Sequence, residues 1–465
     1  MSRVVVVGAG VGGLTAALRC AQAGHDVTVL EAAAGPGGKA GRLERDGFAF
    51  DTGPSLLTMP WVFTELLGDA IELVRVEPVT RYRFADGSHV ELSADLPRAL
   101  AALEAWSPGA GDDWARYLGT CANMWRASVP VLTGEPPWPP RRGGTAPDPR
   151  DLLRVRPWHT VRTLARAHAR DRRLRLVIER FATYAGADPR RAPAALAVAG
   201  YVEHAFGAWH VRGGIHALVR ALAAAVERAG GRIDYGVRVA GVVRGDGRAQ
   251  GVTTPAGPVG ADWVLWNGDA AALEPARAAR ARSVSGYVLM LGVRGRTPGL
   301  PHHTIAFPRD YDAELDDVFA RRRPVRDPTL YVSASSVTDP GEAPAGDENW
   351  FVLANAPAGL PASAWDGYDE HLLERLAAAG LDPSGHIAVR AARTPIDLER
   401  ETGAVGGAIY GAAPHGRLRG LLRAPQRVRG ARGLWLAGGT VHPGGGLPLV
   451  ALGGEIGRAS CRERV

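Results

Sequence analysis

Three glycines, Gly8, Gly10 and Gly13, stand in G-x-G-x-x-G spacing after the β-branched run at residues 4–7 and before a helix-like stretch. The first permits a tight strand-to-helix turn, and the second lets a pyrophosphate approach bare backbone. The third allows the helix to pack closely on the strand. Phosphates then face the positive end of the helix, with Gly12 in the same turn. Glu31 ends the next strand-like run, 18 residues after Gly13. A carboxylate there can accept from a ribose 2′-hydroxyl. The pattern predicts a dinucleotide site rather than a turn without a ligand.

Two further glycine turns extend this chemistry. Gly35-Pro36-Gly37-Gly38 follows Glu31 closely and leads to Lys39, the only lysine of the chain, and then Arg42. It reads as a second phosphate-facing turn with Lys39 or Arg42 as countercharge. Near the other end, Gly438 and Gly439 precede His442, Gly445, Gly446, Leu447 and Pro448. Pro448 suits the first turn of a helix. His442 is a candidate for catalysis, although a histidine that holds the turn is the preferred reading. Glu203 and His204 are read as a helix-end pair rather than an acid–base pair. The sequence shows no Ser/His/Asp triad, no HExxH and no metal-ligand spacing.

These turns need elements to hold them. Residues 3–31 read strand, turn, helix, strand. Residues 212–252 give a glycine turn, an alanine-rich helix at 215–229 and strands split by the Asp246-Gly247 hairpin signal. Short apolar strands follow at 262–266 and 434–437. The expected fold is α/β: a Rossmann-like domain of the glutathione-reductase type with an inserted α+β domain. The cofactor domain is discontinuous, built from 1–74, 205–272 and 425–454. The insert at 75–204 is expected to be mostly helical, with a Pro/Gly-rich loop at 135–149, and the one at 273–424 to be β-rich. Residues 455–465 show no amphipathic period and are read as a non-native tail.

The 465 residues carry a formal net charge of +7. Ten arginines against three acids between Arg150 and Arg180 account for all of it. Cys20, Cys121 and Cys461 lie far apart and suggest neither disulfides nor zinc. No run reaches the roughly 18 apolar residues of a membrane span, and no leader precedes the first strand, so a cytoplasmic location is expected. No recognition motif accompanies the basic region, which argues against nucleic acid as a partner.

Many segments match one family in combination. Gly37-Gly38-Lys39 resembles the extended FAD signature of the amine oxidase and phytoene desaturase superfamily. Asp51-Thr52-Gly53-Pro54-Ser55 resembles the D-x-G-P-[ST] segment of bacterial carotenoid desaturases. Also similar are Arg180-Phe181-Ala182-Thr183-Tyr184, Gly207-Ala208-Trp209, His302-His303, Asn355-Ala356-Pro357 and residues 434–448. The resemblance covers residues 4 to about 453. It implies FAD, with Gly53 and Pro54 near it, the strand around Val239 by the adenine and the last glycine segment closing over the flavin. It also implies dehydrogenation of an acyclic carotenoid, with flavin N5 taking the hydride and oxygen or a quinone as final acceptor. A carotenoid isomerase or saturase, or another amine-oxidase-like flavoenzyme, is the alternative.

A polyene of roughly forty carbons would cost on the order of 30 kcal/mol to hold free in water, at ~0.8 kcal/mol per carbon. Such a substrate must come from a membrane. Arg162, Arg166, Arg170 and Arg173, at helical spacing near Trp158 and Trp138, are therefore expected to form a basic stripe for a peripheral lipid contact.

Overall fold

The computed structural model describes the chain except residues 135–147, 275–276, 278–279, 417–422 and 463–465. The side chains of 149, 152 and 455–462 also lie outside the description. The loop expected at 135–149, with Trp138, falls largely outside the described residues, as does the side chain of Cys461.

A five-stranded parallel sheet forms the base of the site, in the order Leu434–Leu436, Trp263–Trp266, Arg3–Val7, Asp26–Leu30, Arg232–Asp234. Parallel strands covered on both faces need near-continuous apolar runs. Val4, Val5, Val6 and Val7 supply one, and all four are buried. The helix Val11–Gln22 buries Leu14 and Leu18 and packs on the helices Ile215–Arg228 and Leu447–Arg462. Three distant stretches thus meet in one layer. An antiparallel meander, Gly241–Gly245, Arg248–Thr254 and Gly257–Gly260, accompanies it. Its first turn carries Asp246 and Gly247 at φ 52° and 69°, the positive angles of a two-residue hairpin turn. The helix Leu447–Arg462 carries its backbone into the segment read as a non-native tail.

The second layer is a seven-stranded sheet: Ile387–Arg393, Ser285–Val293, Glu348–Ala356, Leu330–Ser333, His303–Ala306, Thr80–Arg83, His89–Leu92. It is antiparallel except where His303–Ala306 pairs in parallel with Thr80–Arg83. The last two strands come from the insert expected to be mostly helical, so both inserts build one sheet. Thr80 and Tyr82 alternate as buried residues with Arg81 and Arg83. Four residues are too few for that period to stand out in the sequence.

Helices Leu96–Trp106, Ala110–Thr133, Pro149–Arg154, Val161–His168, Arg172–Arg180 and Val198–Phe206 make up most of the rest of the first insert. Here the expected basic stripe fails. The chain breaks between Val161–His168 and Arg172–Arg180, where Asp171 caps the second helix through the Arg173 amide. Three of the four arginines are taken by acids. Arg162 pairs with Glu179 and Asp312, both at 2.6 Å, and Arg170 with Asp113 at 3.1 Å. Arg173 pairs with Asp171 at 2.7 Å and Asp86 at 3.1 Å. Only Arg166 of the four is exposed and without an ion pair among the described residues.

Candidate cofactor and substrate site

The parallel strands end at one edge, where a cavity of about 1220 Å³ opens. That exceeds the roughly 300–1,000 Å³ of a single small-ligand site. Gly8, Gly10 and Gly12 line it beside Glu31, Gly37, Gly38, Lys39, Gly53 and Pro54. Val239, Gly438, Gly439, Gly445, Gly446, Leu447 and Pro448 complete this part of the wall. Gly13 packs behind it, where a Cβ would meet the Gly8 carbonyl at 2.1 Å. The Gly37 amide donates to the Ala9 carbonyl at 3.0 Å, docking the second turn on the first. Val239 lines the cavity from an irregular connection rather than a strand; the strand begins two residues later at Gly241.

The cradle fits the expected FAD. Glu31 directly follows the strand Asp26–Leu30, its carboxylate accepting from the Ala9 amide at 2.6 Å and the Ala33 amide at 2.8 Å. It is fixed beside the first glycine turn, where a ribose would lie. Side chains are excluded where the cofactor must approach. A Cβ on Gly12 would meet Asn267 Oδ1 at 2.7 Å, and one on Gly53 the Lys39 carbonyl at 1.8 Å. Asn267, which sequence reasoning missed, stands at the centre, with Nδ2 donating to the Gly8 carbonyl at 3.4 Å. Its one sequence signal is its place just after the strand Trp263–Trp266, at the carboxyl edge where open α/β sheets bind ligands.

The two proposed countercharges part company. Lys39 lines the cavity, and its ammonium donates to the carbonyls of Ile409 at 2.5 Å and Ala408 at 3.3 Å. Burial pulls it down to about 8, opposed by Asp269. Arg42 turns away to Glu44, the Gly213 carbonyl and Glu342, at 2.7, 2.8 and 2.9 Å. It is absent from the cavity wall because that buried carboxylate draws it into the second layer. Asp51 accepts from the amides of Ile215 and His216 and so caps the helix Ile215–Arg228.

His442 does not reach the cavity. Its Nε2 donates to the Val131 carbonyl at 2.9 Å and the Gly134 carbonyl at 3.2 Å, at the end of helix Ala110–Thr133. Glu203 does reach it. This residue lines the cavity, has no hydrogen-bond partner among the described residues, and is pushed up to about 8 by burial against the opposing pull of Arg180. Glu203 and His204 do lie in the last turn of Val198–Phe206, as the helix-end reading has it, and that turn aims Glu203 into the cavity. His210, Asp339 and Glu342 form a separate buried cluster within 4.8 Å, in which Arg212 holds Asp339 and Arg42 holds Glu342.

Residues 11–294 match the family described as flavin containing amine oxidoreductase. The chain is 36% identical to the hydroxyneurosporene desaturase of Rubrivivax gelatinosus, over 98% of this chain and 92% of that one. It is 32% identical to the zeta-carotene-forming phytoene desaturase of Myxococcus xanthus, with the same two coverages. Among solved structures, an oxidoreductase from Methanosarcina mazei is similar with a TM-score of 0.64 at 19% identity, covering 97% of this chain and 99% of that one. A redesigned putrescine oxidase gives 0.68 at 15%, covering 100% and 99%. At those identities the two structures speak for the fold. Glycine cradle, fixed Glu31 and these relatives agree: the chain belongs to the flavin containing amine oxidoreductases and, within them, to the bacterial carotenoid desaturases, as an FAD-dependent oxidoreductase.

Proposed function

We propose that this enzyme introduces double bonds into an acyclic carotenoid or carotenoid precursor. One observation carries the reading: the cavity that joins the glycine turns continues along an apolar wall of Met59, Trp125, Leu132, Phe181, Leu196 and Val202. Bound FAD supplies a two-electron acceptor able to take a hydride from an unactivated carbon. The chain's own residues position and protect. The glycines bring bare backbone to the cofactor, and the apolar wall aligns a long hydrocarbon and keeps water out. One hydrogen leaves with its electron pair and the neighbouring one as a proton, and the electrons pass finally to oxygen or a quinone.

The substrate would be drawn from a membrane. Among the described residues, no helix is long and apolar enough to cross one. Leu153 and Trp158 are 60% and 48% exposed and flank Val155, which lines the cavity. Arg150, Arg154 and Arg156 are their neighbours in sequence, with Arg154 held by Asp151 at 2.6 Å, and each free charge near anionic lipid contributes roughly 1 kcal/mol. This cluster replaces the failed stripe as the lipid-facing surface. Exchange of Leu153 and Trp158 for serine should release the protein from anionic liposomes in a flotation assay.

FAD-loaded protein, given acyclic polyenes in liposomes with oxygen or a quinone, should yield products lacking two hydrogens and absorbing at longer wavelength. A product that gains oxygen, or activity only with reduced flavin, would point to an oxygenase, isomerase or saturase. No reaction with any acyclic polyene would end the reading.

A further inference from the structure

We propose that Arg180, Tyr184 and Glu203 form an anchor for the oxygen of a hydroxylated polyene, a polar station beside the apolar stretch of the cavity wall. The proposal rests on the polyene reading above and narrows it to a chain that bears an alcohol.

Helix Val198–Phe206 turns Val198, Ala199, Val202 and Glu203 toward the cavity. Three of these suit a hydrocarbon and one does not. Arg180 ends the helix Arg172–Arg180 on the same wall, and Tyr184 follows in the next turn. The Arg180 guanidinium lies 5.4 Å from the Tyr184 ring centroid. One of its nitrogens donates to Thr183 Oγ1. Glu203 and Arg180 are 7% and 4% exposed. They do not form an ion pair with each other. Neither the Glu203 carboxyl nor the Tyr184 hydroxyl has a hydrogen-bond partner among the described residues.

A buried polar group without a partner is unfavourable, and native interiors rarely keep one without a use. A hydrocarbon would leave the Glu203 carboxyl, the Tyr184 hydroxyl and Arg180 Nε desolvated and unanswered. An alcohol answers them: its oxygen accepts from Arg180 or Tyr184, and its O–H donates to the Glu203 carbonyl oxygen. The protonated carboxyl that burial favours at neutral pH can also donate, so Glu203 itself needs no ion-pair partner. Sites built to hydrogen-bond a hydroxyl discriminate strongly against analogues that lack it, because their own polar groups then stay unpaired.

The test is equilibrium binding to the FAD-loaded enzyme of two polyenes of equal length, one with a terminal hydroxyl and one the parent hydrocarbon. Both are presented in phosphatidylcholine vesicles and followed by quenching of protein tryptophan fluorescence. The alcohol should bind at least ~10-fold more tightly, the scale of a satisfied buried hydrogen bond. Glu203→Leu should abolish the preference, with the loss falling on the alcohol. Glu203→Gln, which keeps an acceptor and a donor, should retain most of it. Tyr184→Phe, a change of one hydroxyl, gives a second reading if the leucine variant folds poorly, and should lower the preference. Equal binding of both polyenes by the wild type overturns the anchor and leaves the polyene reading standing. Equal weakening of both by Glu203→Leu also overturns it, since that is what a merely structural role produces. Binding of neither by flavin-loaded wild type ends both.

Discussion

A Cβ placed on Gly445 would lie 2.2 Å from Cδ1 of the Tyr410 ring. The two residues belong to different layers: Gly445 to the segment that closes the cofactor cradle, Tyr410 to the β-rich insert. Their contact sets how closely the two can approach. Gly445→Ala should therefore push the layers apart, at about 1–3 kcal/mol for overpacking, and lower the flavin-to-protein absorbance ratio. Tyr410→Ala in the same chain removes the clashing ring and should restore part of that ratio. If the double variant is no better than the single, the contact is not the constraint.

Glu31 accepts two backbone amides while it faces the cavity. Glu31→Ala removes the carboxylate expected to accept from the ribose and leaves the Ala9 and Ala33 amides without that partner. We expect FAD affinity to fall by about 10- to 100-fold, the equivalent of one to two hydrogen bonds to a charged group. Titration of flavin into apoprotein measures it directly.

The Glu203 carboxyl is raised from 4.5 to about 8 in the folded chain. Between those values the folded state holds more protons than the unfolded one, so stability falls as pH rises through the window. Below the lower value the penalty vanishes. Glu203→Gln lacks it at every pH. The melting temperature of the glutamine variant should then exceed that of the wild type by more at pH 8 than at pH 5. The widening corresponds to at most about 4 kcal/mol, at ~1.4 kcal/mol per unit. A gap that does not change with pH would mean that the carboxyl ionises freely inside the fold.

Arg162 and Arg166 sit one helical turn apart and should behave in opposite ways. Arg162 is the partner of the buried Glu179, whose side chain is 5% exposed. Arg162→Glu would leave that carboxylate uncompensated, which costs about 3–5 kcal/mol. Arg166 is exposed, and its reversal should change stability by less than about 0.5 kcal/mol. Thermal unfolding of the two variants separates them. Loss of liposome binding with Arg162→Glu would then reflect a damaged fold, not a lost docking charge.

The glycine turns, Glu31 and the parallel layer were legible in the sequence because each depends on local rules. A turn of Gly8-x-Gly10-x-x-Gly13 type has one backbone solution, and a run such as Val4 to Val7 has one natural setting. The tertiary structure decided what depends on partners far along the chain. Arg42 looked like a phosphate ligand until Glu342, 300 residues away, claimed it. Arg162 read as part of a lipid-facing stripe until Glu179 and Asp312 enclosed it. Asn267 carries no motif, yet it lies at the meeting point of the first and last glycine turns. Glu203 took its meaning from a cavity wall that four separate helices and turns build together. Spacing fixes what a backbone can do over a few residues; which polar side chain is satisfied and which is left facing a ligand is settled only when the chain closes on itself.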